Sequence, residues 1–264
     1  MPELSVIVIL VFVIFLARWL ESIMGFGGTV LSLPILAILI PDMHITGVLV
    51  PVLALGNIVC CIGIVYVGRH EIVWREYGII MLYMGIGVPA GFWAAGVAPE
   101  VILRLVLGLF VFTVAVANLI QMAINDGHGD DGDVPLFERI CLRTLVIGAG
   151  VIHGMFTTGG PPLVIYAARA LKSKGLFRVT LAMVWLTLNV IIVSGWYLDG
   201  RIQEVAWPLA GITIPFIIIA VFIGDHFHHR MPEQLFRKAA YVLLLISGGS
   251  LIYKALPDVL AMYA

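Results

Sequence analysis

Glu21-Ser-Ile-Met-Gly-Phe-Gly-Gly28 and His153-Gly-Met-Phe-Thr-Thr-Gly-Gly160 carry one pattern twice, an ionisable side chain six residues ahead of a Gly-Gly pair. The flanking sequence is apolar enough to lie in a bilayer. There a charge costs about 2.5–3.5 kcal/mol on insertion scales unless pairing or function offsets it. Two polar interruptions at membrane depth point to a transport site.

Composition places the chain in the membrane. Of 264 residues, 61% are hydrophobic and 12% charged, with mean hydropathy +1.09, which leaves too little polar surface to cover a soluble globule. Apolar runs recur near the ~20 residues a helix needs to cross hydrocarbon. They predict segments near 4–20, 25–40, 46–67, 77–97, 101–124, 142–156, 161–171, 179–198, 205–224 and 235–256. The expected fold class is an all-α integral membrane protein. Residues 1–124 form a first transmembrane repeat, 125–138 a polar acidic linker and 139–264 a second repeat; the run Asn125–Asp133, rich in glycine and acid, has no means of burying a core. The first apolar run follows Met-Pro-Glu-Leu, without a basic leader or a small-residue cleavage site, and reads as a retained span. Cys60 and Cys61 are adjacent in an apolar run and Cys141 stands at a helix start, so no disulfide framework is expected.

The duplication extends beyond the glycines. At an offset of 132, Glu21 falls on His153, Gly27-Gly28 on Gly159-Gly160, Asn57 on Asn189 and Gly68-Arg69 on Gly200-Arg201. At 133, Gly91 falls on Gly224, Pro99-Glu100 on Pro232-Glu233 and Arg104 on Arg237. Leucine and valine align by chance in apolar sequence; Asn, Arg and Pro-Glu do not. Basic residues then set the orientation. The stretches 68–76, 125–143, 169–178 and 225–238 hold eleven Lys/Arg, whereas 41–45, 98–104, 199–204 and the C-terminal end hold three, so the first set is read as cytoplasmic. This requires each Gly-Gly element to turn back or cross an even number of times, and it makes the two repeats inverted, with both termini outside. Duplication around broken or re-entrant helices is the sequence pointer to a secondary transporter's binding site. The segments 142–156 and 161–171 would reach only about 22 and 16 Å and read as half-helices.

A Gly-Gly pair admits close backbone approach, and a helix restarting behind it offers unpaired N–H groups at the positive end of its dipole, which suits an anion. Gly27, Gly28, Gly159 and Gly160 are accordingly candidate ligand-binding positions, with Thr29, Thr157 and Thr158 supplying hydroxyls. The competing reading of the glycines is tight helix packing. Glu21 has two readings: an i, i+3 ion pair with Arg18, or a group that couples protons to transport. His153 is the other candidate for proton coupling, because an ordinary pKa near ~6.5 lets imidazole load and release a proton near neutrality; the alternative is a hydrogen-bonded structural histidine. Asn57 and Asn189 either join helices or form a shared site wall. Trp185, four residues before Asn189 on the same helix face, is the aromatic candidate for site lining, while Trp196, Tyr197 and Trp207 read as belt or packing residues. The tract Asp225-His226-Phe-His228-His229 reads as a solvated loop and not a metal site, because no second ligand cluster stands at proper spacing. With no P-loop or nucleotide fingerprint, no cofactor, resident metal or nucleic-acid partner is expected.

Gly25-Phe-Gly-Gly28 with Pro34 downstream, and His153-Gly-Met-Phe-Thr-Thr-Gly-Gly-Pro-Pro162, resemble the signature breaks of the sulfite exporter TauE/SafE family of membrane permeases. The Gly-x7-Pro-Glu pattern at 91–100 and 224–233 agrees, so the resemblance covers nearly the whole chain. It implies a multi-pass transporter of the bacterial inner membrane, moving a small organosulfur or sulfur oxyanion such as sulfite or sulfoacetate, often outward. The residues ask independently for an anion: a sulfonate's three acceptor oxygens suit converging N–H and hydroxyl donors. The expected partners are that small anion and the lipid bilayer, with a homodimer as the oligomeric expectation. A passive anion channel would share the broken helices without a titrating group. A membrane-embedded enzyme is the more distant alternative, since the chain offers only Glu21 and His153 at depth, one in each half.

Overall fold

The computed structural model describes residues 3–124, 136–171, 173–227 and 233–263. Hydrocarbon offers no partners to backbone N–H and C=O groups, so apolar runs close their hydrogen bonds internally. They do so as α1 (Leu4–Met24), α2 (Gly28–Leu39), α3 (Val50–Gly68), α4 (Trp74–Val97), α5 (Glu100–Ile124), α6 (Leu136–Phe156), α7 (Gly160–Ala170), α8 (Lys174–Leu198), α9 (Ala206–Phe227) and α10 (Glu233–Tyr263). A π-helical turn, Ile45–Leu49, leads into α3. Among the described residues, seven helical stretches are long and apolar enough to cross a membrane, whereas α2 and α7, at 12 and 11 residues, and the apolar part of α6, Ile140–Phe156, are not. Large apolar side chains such as Phe222 on α9 and Leu82 on α4 face outward, as a lipid-facing surface requires.

Two segments differ from expectation. α1 continues through Glu21 to Met24, because Arg18, one turn earlier, neutralises the carboxylate and lets the helix carry it inward. α6 starts at Leu136 and has 21 residues, a length of about 31 Å, although its apolar stretch, Ile140–Phe156, stays below spanning length. Hydropathy marks its start too late because the first turn holds the polar pair Glu138 and Arg139. Linker residues 125–135 lie outside the described residues, as do Lys172 and the part of the histidine tract at 228–229.

Long-range contacts give the helix directions. Gln203 N–H donates to the Gly47 carbonyl (3.0 Å), Asn189 bonds Asn57, and Val179 packs on Gly68, so α3 and α8 run antiparallel. Gly108 meets Leu251 and Ile252 while Gly248 meets Phe112, which makes α5 and α10 antiparallel as well. At one end of the bundle, Val73 N–H donates to Thr180 Oγ1 (3.0 Å), Arg178 pairs with Asp225 (2.8 Å) and Tyr166 donates to Glu76 (2.8 Å). At the other, Ile45 N–H donates to Glu100 (2.7 Å), Arg104 to the Pro41 carbonyl (2.9 Å) and Arg201 to the Phe92 carbonyl (3.0 Å). The basic residues Arg69, Arg75, Lys174 and Arg178 therefore gather at the first end, opposite Arg104 and Arg201. Because Arg104 also donates to the carbonyl of Ala37, α2 ends at the Arg104 end; α7, carrying Tyr166, ends at the Glu76 end.

Close backbone packing joins α4 to α6 and α9 to α1. A Cβ on Gly91 would strike the Val151 carbonyl and come within 3.1 Å of Gly154, and one on Gly224 would meet the Trp19 carbonyl at 2.7 Å and Ser22 at 2.6 Å. Small residues that let helix backbones approach are the usual means of association where lipid is as apolar as the protein. We expect Gly91→Val and Gly224→Val each to lose about 1–3 kcal/mol by overpacking against backbone that cannot yield. Gly148→Ala, where a Cβ meets nothing within 4 Å on an exposed helix face, should be neutral or stabilising. Thermal unfolding of the detergent-solubilised variants measures the difference.

Candidate functional site

Each short helix begins where the preceding long one stops. α1 ends on Gly25 in the left-handed region (φ +82°), whose N–H returns to the Glu21 carbonyl at 2.6 Å, and Gly27 (φ +100°) redirects the chain into α2. α6 ends in the same way: Thr157 N–H returns to the His153 carbonyl at 2.7 Å, and Thr157 sits at φ +53°. Glycine adopts that conformation freely, but a β-branched threonine there is strained by about 1–3 kcal/mol. At the position matching Gly25, the second half has kept a hydroxyl despite the backbone penalty.

These two turns and the middles of α3 and α8 surround a small cavity of ≈ 20 Å³. Its wall brings together Glu21, Gly27, Thr29 and Asn57 from the first half with His153, Thr157, Thr158, Gly160, Trp185 and Asn189 from the second, and Val30 completes it. Val30 carried no sequence signal, being one aliphatic residue in an aliphatic helix. Gly28 and Gly159 stand off the wall. A side chain at Gly28 would strike Glu21 and Arg18, and one at Gly159 would strike the Ala149 carbonyl and His153 Cβ, so both positions serve packing.

The first-half wall is hydrogen-bonded almost throughout, with Arg18 Nε left without a partner behind it. Arg18, fully buried, pairs with Glu21 and donates to Thr29 Oγ1 (3.2 Å) and the Leu53 carbonyl (2.6 Å). Glu21 accepts a further bond from Asn57 Nδ2 (2.8 Å), and Asn57 Oδ1 accepts from Asn189 Nδ2 (2.6 Å). Direction propagates along this chain. A carboxylate only accepts, so Asn57 must turn its NH2 to Glu21 and its oxygen to Asn189, which leaves Asn189 Oδ1 facing the cavity without a partner.

The second-half wall is open. His153 Nδ1 and Nε2 and the hydroxyls of Thr157 and Thr158 are buried without a hydrogen-bond partner. The His153 ring stacks on Trp185, with centroids 5.1 Å apart at 29°, and its polar neighbour is the Asn189 side chain, at a geometry short of a full hydrogen bond. Buried polar groups are almost always satisfied, so five orphaned atoms around one cavity make it the candidate place for a polar guest. Helix ends add to it: α7 begins at Gly160 with no side-chain cap, and Pro161 and Pro162 donate nothing, so the Gly160 N–H is the first free donor there. No group of three or more His, Cys, Asp or Glu able to hold a metal ion occurs among the described residues.

The sulfite exporter TauE/SafE family profile matches residues 10–251. The chain belongs to that family. Among curated relatives, it is 26% identical over 188 residues to the probable inner membrane transporter protein TsaS of Comamonas testosteroni, covering 69% of this chain and 73% of that one. It is 25% identical over 174 residues to the probable sulfite/organosulfonate exporter TauE of Cupriavidus necator, covering 62% and 67%. No solved structure matches the chain at a significant level. The TauE/SafE chain described here is thus a membrane transporter, and its polar cavity lies between helices at mid-span, where Asn57 is distant from both ends of its helical run 45–71.

If the Arg18–Glu21 pair anchors the first-half wall, Arg18→Met should cost about 3–5 kcal/mol by leaving a buried carboxylate without its counter-charge. Adding Glu21→Gln, which removes that charge but can still accept from Asn57, should restore most of the loss. Thermal melts of the single and double variants decide it, and equal instability of the two would refute the pairing argument.

Proposed function

We propose that this transporter moves a small organosulfur anion such as sulfoacetate or sulfite across the bacterial inner membrane, outward, by alternating access. The anion binds in the polar cavity with its oxygens on the Thr157 and Thr158 hydroxyls, the Gly160 N–H and His153. The observation that carries this reading is the cluster of orphaned, buried polar groups on the second-half wall. The substrate class follows the names of the relatives, and a sulfonate or sulfite head supplies the acceptor oxygens those donors lack.

The site is one-sided within a duplicated frame. At the first turn a carboxylate of the chain's own, Glu21, already occupies the start of α2; at the second, His153 takes the matching position and leaves the start of α7 for an external anion. We read the halves as inverted repeats. Support comes from antiparallel packing of matched helices, from Asn57 bonding its own repeat mate Asn189, and from Gly91 of α4 packing against α6 as Gly224 of α9 packs against α1. The gathering of Arg69, Arg75, Lys174 and Arg178 at one end favours that end as cytoplasmic.

Strain at Thr157 supplies a test that separates function from stability. Thr157→Gly relieves the left-handed backbone and should raise the melting temperature, while weakening anion binding by about 1–2 kcal/mol for one lost bond to a charged group. A stabilised variant of unchanged affinity would remove Thr157 from the site.

Proteoliposomes of the purified chain, loaded with sulfite, sulfoacetate, taurine or simple carboxylates under an imposed pH gradient, test the function itself. Saturable, slow flux selective for organosulfur anions is expected, and fast flux that does not saturate would indicate a channel instead. In this scheme His153 takes up a proton with the anion. Affinity should then rise as pH falls, and His153→Gln should flatten that dependence. A variant that still follows the wild-type curve would assign the coupling elsewhere, with Glu21 the next candidate.

A further inference from the structure

The row of hydrogen bonds that starts at Arg18 has a direction, and it leads to His153. Glu21 can only accept, so Asn57 gives it Nδ2 and presents Oδ1 to two donors, Asn189 Nδ2 on α8 (2.6 Å) and the Cys61 thiol one turn along α3 (3.3 Å). Two donors on one oxygen hold that amide against turning over. Asn189 is thereby committed as well: its NH2 faces Asn57, and Oδ1, buried and without a partner, is the end left for its neighbour, the His153 ring. The ring itself is held in place. Trp185 stacks on it at 5.1 Å, and on the Gly159 side even a Cβ would come within 2.8 Å of His153 Cβ. Glu21, already paired with Arg18, is the other ionisable group on this wall; α3, α7 and α8 bring neutral side chains to it, and α4 meets α6 backbone to backbone at Gly87 and Gly91.

We propose that Asn189 is the positioning residue for the coupled proton: its Oδ1 accepts from one N–H of His153, which leaves the other ring nitrogen bare as the atom that takes the proton. This rests on the proton-coupling reading of His153 given above. In a histidine, the hydrogen bond made by one nitrogen decides which of the two carries the proton. An acceptor beside the ring serves the neutral and the charged imidazole alike, and holds the charged one more strongly. An NH2 turned toward the ring would serve only the neutral form, because imidazolium has no lone pair to offer. The orientation of one amide thus decides whether the charged ring keeps its partner, and the stacked indole of Trp185 adds cation–π attraction to that form. Arg18 in the first half in this way governs a proton in the second through Glu21, Asn57 and Asn189, without touching the ring.

The test is a pH titration of tryptophan fluorescence on the full chain in nanodiscs, with no anion present. Protonated imidazole quenches a stacked indole, so the wild type should show a quenching step that Trp185→Phe and His153→Gln each remove. Asn57→Leu leaves the ring alone but takes away the acceptor that holds Asn189, which frees that amide to turn its NH2 toward His153. The midpoint of the step should then move to lower pH by about one unit, the loss of one bond to a charged group. Adding Asn189→Asp, whose carboxylate is an acceptor whichever way it turns, should return the midpoint to the wild-type value or above it. A midpoint unmoved in folded Asn57→Leu, or moved and not recovered by Asn189→Asp, overturns the inference and leaves the proton coupling standing. Where these variants do not fold, nitrogen-15 spectra of the wild type labelled at histidine, with His153→Gln as the blank, give a second reading. One neutral tautomer of His153 is expected, and a mixture of both overturns the inference. A wild type without any His153-dependent step would overturn the coupling reading itself, and this inference with it.

Discussion

A guanidinium cannot shed its charge, and Arg18 is fully buried at membrane depth. The surrounding polar structure follows from that constraint. Glu21 must stay one turn away to balance the charge, the carbonyl of Leu53 and the hydroxyl of Thr29 accept from Arg18 Nη2, and Gly28 must lack a side chain because the pair occupies that space. Through Glu21 the same charge orders Asn57 and then Asn189, across the interface between the two halves. A fixed charge on α1 in this way determines which atom of an amide on α8 faces the cavity.

The two halves of the chain use one backbone device for two purposes. Both long helices end on a left-handed residue, and both short helices start with an uncapped end facing inward. In the first half, the chain fills that end with its own carboxylate and builds a rigid wall. In the second, the charge pair is absent, the helix stop is a strained threonine, and polar atoms remain without partners. Strain and unsatisfied donors together are what the proposed anion site rests on, since each costs stability that packing alone would not require.

How much of this was legible beforehand depended on the kind of residue. Glu21, His153, Asn57 and Asn189 could be singled out because a polar side chain in an apolar run demands an explanation, and all four line the cavity. The glycines were ambiguous for the opposite reason: a residue without a side chain records only that space is scarce, not whether backbone or ligand occupies it. Gly27 and Gly160 border the cavity, whereas Gly28 and Gly159 are pressed against neighbouring atoms. Val30 gave no signal at all, because an aliphatic wall looks like any other aliphatic helix.

The sequence by itself determined that the chain lies in a bilayer as helices, because apolar length and the obligation to satisfy backbone hydrogen bonds leave no other solution. It also carried the recurring Gly-Gly motif, the charge asymmetry and the matched ionisable positions, all of which are local patterns along one dimension. Only the tertiary structure decided that Glu21 is consumed by Arg18 while His153 is left open, and that Asn57 bonds its own counterpart. Those outcomes depend on which atoms meet across helices far apart in the chain. A hydrogen bond or a void is a property of distances of a few ångströms, and such distances are set by packing rather than by spacing along the chain.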